Sequence, residues 1–301
     1  MLKNIIQSAL STSNTEFSAL IRNVAFIQRQ ERKDGVVGNS RVDEGLVRVK
    51  QGRRLILVGD LHGDLQSLTT ILQKSGFIDD LSSTMVFLGD YGDRGQESAE
   101  VYYVTLYLKS KFSDRVILMR GNHEGPSDLP FFPHDLPEQI VAKFGSAGSA
   151  IYQELRALFD LMHHGVLLEN SYLILHGGVP ATFGSTSDIA NANKTHPTNS
   201  YLEEILWNDP REISGFEPSA RGYGRYFGKD VTERALRITN TKTLIRAHEP
   251  CNGFRLNHEG LVLTLFSCKA PYGNADASYL AVDQNNCNLD GEGLAKIVEL
   301  I

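Results

Sequence analysis

Three short stretches hold the polar residues that could do chemistry: GDLHGD at 59 to 64, GDYGDRG at 89 to 95 and RGNHE at 120 to 124. Singly, each reads as an ordinary turn, because Asp, Asn and Gly favour turns. Together they supply Asp60, His62, Asp90, Asp93, Arg94, Asn122 and His123. Carboxylate and amide oxygens mixed with imidazole, without a thiolate, suit hard or borderline divalent cations such as Mn, Fe or Zn. Two such ions about 3.5 to 4 Å apart clamp the attacking and leaving oxygens of a phosphoryl transfer. They need a bridging carboxylate, and Asp90, on the middle stretch, is the natural bridge.

Each stretch follows a short apolar run, most abruptly at LILVGDLHGD, where Leu55 to Val58 lead straight into charge. The pattern predicts strand 54 to 59, helix 65 to 74, strand 84 to 89, helix 97 to 110 and strand 115 to 119, a βαβαβ unit with parallel strands. All three motifs then leave the carboxyl edge of one sheet, where open α/β sheets place ligands. Packing so many charged groups there is costly unless metal or substrate compensates them. The expected fold class is α/β (α+β).

Outside this unit, Phe17, Leu20, Ile21, Val24 and Ile27 predict an amphipathic helix over 15 to 33 after Ser13-Asn14-Thr15, and a loop follows over 34 to 43. The runs 46 to 49 and 54 to 58 around Gln51-Gly52 predict a hairpin. GPSDLPFFPHDLP (125 to 137) is a stiff loop beside RGNHE, and 137 to 162 is helical. Residues 165 to 169 and 171 to 175 form paired strands ending in HGGVP, and 184 to 200 are turn-rich. The segments 243 to 247, 254 to 257, 261 to 267 and 279 to 283 alternate like antiparallel strands. Residues 1 to 50 are expected as an N-terminal helical extension packed on a single catalytic domain, 51 to 301.

With 301 residues and 41% hydrophobic content the chain can bury a large core. A net charge of -6, with no long run of Lys or Arg, argues against nucleic acid as a partner. Cys251, Cys268 and Cys287 are odd in number and form no C-x-x-C, so neither a disulfide framework nor a thiolate zinc site is expected. No apolar window approaches the roughly 20 residues of a membrane span. MLKNIIQSALSTSN is broken by Gln7 and Ser8 before it could be a signal-peptide core. The expected setting is cytoplasmic.

GDLHG, GDYGDRG, RGNHE, HGG at 176 to 178 and RAHE at 246 to 249 stand in the order and approximate spacing of the phosphoprotein phosphatase family, within the calcineurin-like metallophosphoesterases. WNDP (207 to 210) and RGYGRYFG (221 to 228) strengthen the resemblance, which covers roughly 50 to 285 and points to the serine/threonine branch. It implies a two-sheet mixed β-sandwich flanked by helices, with two divalent metal ions at the carboxyl ends of the βαβαβ strands. Manganese is expected in vitro, with iron or zinc as native candidates. Asp60, His62 and Asp90 would hold the first metal, and Asp90, Asn122, His176 and His248 the second. A hydroxide bridging the metals would attack phosphoserine or phosphothreonine monoesters of protein substrates directly. His123 would donate the proton to the leaving oxygen, oriented by Asp93 and protonated at the start. Arg94, Arg221, Asn122 and Tyr272 would contact phosphate. The same metal core could serve a nucleotide or dinucleoside polyphosphate hydrolase, or survive in an inactive phosphoprotein-binding module.

Departures from the family pattern include Asp64 at a usual Gln position, Gly92 at an apolar one, the segment before HGG, and SCKAPYG (267 to 273). With the Pro-Phe loop they suggest an outlying member nearer the archaeal or bacterial branch, so regulatory subunits are not assigned. Asp64 is expected in the helix-starting turn and off the metal. His134, His163, His164, His196 and His258 lie outside the motifs and are expected at the surface or satisfied in the core. Trp207 is expected as a packing anchor and Asp209 as a loop-fixing acceptor.

Overall fold

The computed structural model describes residues 1–50, 52–283 and 288–301. In it, the apolar run Leu55 to Val58 is divided between two cores. Ile56 and Val58 pack with helices, while Leu55 and Leu57 face a second sheet. Successive strand residues point to opposite faces, so a strand covered on both sides needs apolar residues throughout.

This strand, Arg54–Val58, is central in a five-stranded sheet ordered Val298–Leu300, Ser278–Val282, Arg54–Val58, Ser83–Phe87, Val116–Leu118. The last three are parallel and joined by helices Leu65–Ser75 and Ser98–Lys111, as the βαβαβ reading predicts. An eight-stranded sheet packs against it. Val166, Ile174, Ile245 and Leu263 fill the space between the sheets, and Leu167, Leu173, Leu244 and Val262 face an outer layer that includes Ile205 and Leu236. The layers run helices, sheet, sheet, helices, the expected sandwich.

Three local expectations fail. Residues 34 to 43 are not a plain loop, because Val36–Val37 and Ser40–Asp43 pair antiparallel. Leu46–Val49 pairs with Ser40–Asp43 and, in parallel, with Gly165–Leu168 in the larger sheet, so it forms no hairpin with Arg54–Val58. The chain crosses between sheets there; two apolar runs about a Gly look the same whether they pair or cross. Gln51, in the expected turn, lies outside the described residues. Nor are the late strands all antiparallel: Thr243–Arg246 runs parallel to Tyr172–Ile174 and to Val262–Leu265. Phe254–Asn257 and Ser278–Val282 do pair antiparallel, the latter with Arg54–Val58 of the other sheet. Within 184 to 200, helices Thr186–Ala190 and Ala192–Thr195 are too short to show periodicity.

Helix Leu2–Ser11 precedes the expected helix, which spans Asn14–Asp34. Ser13 and Glu16 form a capping box at its start, and Gly35 ends it in the left-handed region with φ 70°. Near its end, Glu31 accepts from the fully buried Lys109 ammonium, which also donates to the carbonyls of Val116 (2.7 Å) and Ser113 (3.1 Å). Cys251 and Cys268 are free thiols, and Cys287 lies outside the described residues. Among the described residues no helix is long and apolar enough to cross a membrane.

Candidate active site

Five strands deliver the site. Asp60 and His62 follow Arg54–Val58, Asp90 follows Ser83–Phe87, and Asn122 and His123 follow Val116–Leu118; His176 follows Tyr172–Ile174 and His248 follows Thr243–Arg246 in the other sheet. The cluster therefore straddles the edges of both sheets. His62, Asp90, Asp93, Arg94 and His248 all have φ between 42° and 73°, a conformation non-glycine residues adopt at a cost and one that concentrates at functional sites. The backbones approach closely: a Cβ at Gly121 would lie 2.1 Å from Asp90 Oδ1.

The donor set fits cations. His62 Nδ1 donates to the Gly92 carbonyl at 3.0 Å, so its Nε2 keeps a lone pair, which faces Asp60 Oδ2 and Asp90 Oδ2 at 3.6 Å each. Asp60 Oδ2 is buried without a hydrogen-bond partner. His176 repeats the arrangement: Nδ1 donates to the Leu88 carbonyl at 2.9 Å, and Nε2 faces Asn122 Oδ1 at 3.1 Å and Asp90 Oδ1 at 3.5 Å. His248 Nδ1 lies 2.8 Å from the same Asn122 oxygen. Lone pairs facing each other in a dry interior repel unless a positive charge sits between them. Two such meeting points share Asp90, one oxygen toward each.

The electrostatics agree. Burial pushes the Asp90 carboxyl well above the usual range, reinforced by the charges of Asp60 and Glu124, so the carboxylate needs a cation opposite it. Burial also opposes ionisation of Asp60, but His62 and His176 hold its carboxyl below the usual range. Burial lowers His176 to about 4, which leaves the neutral, ligating imidazole at neutral pH. The residues present fit two divalent ions. Ligand atoms of His62, Asp90 and His123 also lie within 4.8 Å of one another. His123 Nε2, however, also lies 3.4 Å from the Arg94 guanidinium, a cation already beside it.

His123 Nδ1 and Asp93 Oδ2 are 2.7 Å apart, both groups buried. Asp93 Oδ1 accepts from His134 Nδ1 (3.0 Å) and from the backbone N–H groups of Asp135 and Leu136 (2.8 Å each). Burial works against the Asp93 charge, but the hydrogen bonds from His123 and His134 outweigh it and hold the carboxyl far below the usual range. Burial works against the expected protonated start of His123: it pulls the imidazole down to about 3 against the opposing effect of Asp93.

His62, Asp90, Asn122, His123 and His248 line a cavity of about 470 Å³ that also includes Arg94, Phe131, Phe132, Trp207, Arg221 and Tyr272. Arg221 Nε donates to Asp209 Oδ2 at 2.8 Å, and Asp209 Oδ1 accepts from the fully buried Arg246 at 2.8 Å, so Asp209 fixes both arginines as an acceptor. The Trp207 ring lies 5.7 Å from that of His248. Tyr272 stands 5.4 Å from the His62 ring with the Arg94 guanidinium over its face at 5.7 Å; burial raises its phenol, so the hydroxyl stays a donor.

Asp64 is off the cluster, as expected: its carboxylate caps helix Leu65–Ser75 at Ser67 N (2.9 Å) and accepts from Lys269 N (2.8 Å) and Ala270 N (3.1 Å), anchoring the Tyr272 loop. His164 and His258 are satisfied in the core, and His196 pairs with Asp128 near the surface. His134 is not such a bystander, because it touches Asp93. Sequence reasoning also missed Phe131, whose ring lies 3.9 Å from that of His123, and Glu124, which accepts from the N–H groups of Asp90, Tyr91 and Gly121. The position of Glu124 inside RGNHE was a usable signal.

The family model for calcineurin-like phosphoesterases matches residues 53–252. The chain belongs to that family. A relative from Encephalitozoon cuniculi, named "Probable serine/threonine-protein phosphatase", is 32% identical over 245 residues, 80% of this chain and 52% of the relative. The serine/threonine-protein phosphatase 4 catalytic subunit of Saccharomyces cerevisiae is 29% identical over 214 residues, 70% of this chain and 68% of that one. The chain thus spans about half the length of the first and two thirds of the second. A solved protein serine/threonine phosphatase from Saccharomyces cerevisiae, described as similar to human phosphatase PP5, shares the fold with a TM-score of 0.80 at 24% identity, covering 100% of this chain and 96% of that one.

Proposed function

We propose that this chain hydrolyses phosphoserine and phosphothreonine monoesters in proteins. The observation that carries the reading is the shared cavity of about 470 Å³ onto which His62, Asp90, Asn122 and His248 of the ligand cluster open together with His123 and two arginines. Asp60, His62 and Asp90 would hold one divalent ion, and Asp90, Asn122, His176 and His248 the other. When bound, the ions supply a water nucleophile at neutral pH and draw charge from the phosphate. Manganese suits reconstitution, and iron or zinc also fit the donors.

Arg94 and Arg221 grip the phosphate oxygens with planar forks, and Asn122 and Tyr272 stand ready to donate to the same group. His123 Nε2 gives its proton to the leaving serine or threonine oxygen, which is too basic to depart unprotonated. A phosphate dianion held beside Nε2 favours the imidazolium against the effect of burial. Asp93 keeps the Nδ1–H direction fixed throughout, the role a carboxylate has in hydrolase triads.

Protein substrates are supported by the names of the relatives and by RGYGRYFG, which carries Arg221. The changes at Asp64 and Gly92 and the Pro-Phe loop support an outlying position nearer the archaeal or bacterial branch. Turnover of a phosphothreonine peptide compared with a dinucleoside tetraphosphate tests the reading: the peptide is expected to be the better substrate. Preference for the dinucleotide would replace the assignment with nucleotide hydrolysis, and metal-loaded protein inert on both would make the chain a binding module.

A further inference from the structure

We propose that His134 is a positioning residue of the proton-donating pair, an inference that rests on the reading of His123 and Asp93 given above. Contacts run without interruption from Tyr152 through His134 and Asp93 to His123. Tyr152 Oη lies 2.8 Å from His134 Nε2, His134 Nδ1 lies 3.0 Å from Asp93 Oδ1, and Asp93 Oδ2 lies 2.7 Å from His123 Nδ1. Facing a carboxylate oxygen, His134 Nδ1 must carry hydrogen. In the neutral ring Nε2 then accepts, so the Tyr152 hydroxyl donates and fixes the tautomer.

The segment that holds Asp93 also holds its neighbours. Asp93 and Arg94 sit at φ 65° and 73°, a turn that persists only when its surroundings over-determine it. Asp135 Oδ1 accepts from Arg94 N at 2.9 Å, and the N–H groups of Asp135 and Leu136 join His134 on Asp93 Oδ1. From the same loop the Phe131 ring lies 3.9 Å from that of His123 and 4.7 Å from that of His134. The loop thus meets the pair at both ends, through a hydrogen bond at the carboxylate and an aromatic contact at the imidazole.

Two effects of His134 oppose each other. A third donor on Oδ1 weakens the pull of Asp93 on the imidazolium, while it stops the carboxylate from rotating away from Nδ1. Two backbone donors already polarise Oδ1, so the third changes basicity modestly; misplacing a catalytic group by about 1 Å costs on the order of a hundredfold. Positioning dominates.

The test measures kcat and KM of His134→Ala, His134→Asn and His134→Gln on a phosphothreonine peptide and on an aryl phosphate with an acidic phenol, with Asp93→Asn as reference. Loss of aim at the proton donor hurts the alkoxide leaving group most. His134→Ala is expected to lose about tenfold in kcat on the peptide, with KM unchanged, and far less on the aryl ester. His134→Asn places an amide N–H where Nδ1 stood and restores most of the loss; His134→Gln keeps bulk without that donor and does not. Tyr152→Phe leaves the ring in place and shows a smaller loss of the same kind. Equal losses on both esters, or rescue by Gln and not Asn, would overturn the proposal. If Asp93→Asn shows no leaving-group dependence, the pair itself is misread and His134 falls with it. If Asp93→Asn shows it and His134→Ala does not, only the His134 proposal falls.

Discussion

Asp64 shows how much one carboxylate's neighbours decide. It stands two residues past His62, yet its oxygens are occupied by Ser67, Lys269 and Ala270. Asp64→Ala is therefore expected to cost at least the roughly 1 kcal/mol typical of a lost N-cap, read by urea unfolding, while metal analysis still finds two ions per chain; loss of an ion would return Asp64 to the ligand set. The residues that meet in the cluster were legible because their motifs follow apolar strands and, for His176 and His248, because HGG and RAHE resemble the family's motifs. His134 was not, because its role depends on a loop that folds back over the Asp93 turn from 41 residues downstream, and nothing in PFFPHDLP says which carboxylate it meets. The effect that opposes a protonated His123 was hidden for a related reason: a sequence shows its partner Asp93 but not the degree of burial, which favours the neutral ring.

At the level of elements, the 15 to 33 helix and the βαβαβ unit were legible from period and caps. Which sheet received the strand at 46 to 49 was not, since partner choice is a property of the assembled sandwich. Helix Asn14–Asp34 is fastened by Glu31 to a Lys109 that has no exposure. Lys109→Met would leave the buried Glu31 carboxylate without the ammonium it accepts from. The expected loss is about 3 to 5 kcal/mol, with much of it recovered when Glu31→Leu is added; equal losses in the single and double variants would refute the pairing. The Pro-Phe loop makes a different prediction. Phe132 is 91% exposed at the cavity mouth, so Phe132→Ala has little to disrupt in the fold. Burying such a ring against a peptide contributes up to about 1.5–3 kcal/mol, so KM for a phosphopeptide should rise several-fold while turnover of a small aryl phosphate is unchanged. An unaltered peptide KM would mean that the loop makes no contact with the peptide.

For the whole molecule, two buried imidazoles link stability to pH. Burial lowers His163 to about 4 and His164 to about 3, both below the unfolded value near 6.5. Their contribution is fully present above about pH 6.5. It is lost as pH falls toward the folded values, because the unfolded chain takes the protons first; each pH unit inside that window removes about 1.4 kcal/mol per histidine. The urea midpoint should therefore drop steadily between pH 6.5 and 4, and a flat profile would mean the rings are not buried neutral. The same architecture sets the site, with Asp60, Asp90 and Asn122 at the edge of one sheet and His176 and His248 at the edge of the other. With the proposed ligands on both sheets, metal binding and hydrolysis would be properties of the assembled sandwich. The most direct test is phosphate release from a phosphothreonine peptide by protein stripped with a chelator and titrated with Mn, Fe or Zn, with Asp90→Asn alongside. Activity should vanish on stripping and return with metal, and Asp90→Asn should lose about a hundredfold or more together with bound metal. Full activity in the stripped protein, or an Asp90→Asn variant that keeps both its ions and its rate, would contradict the account.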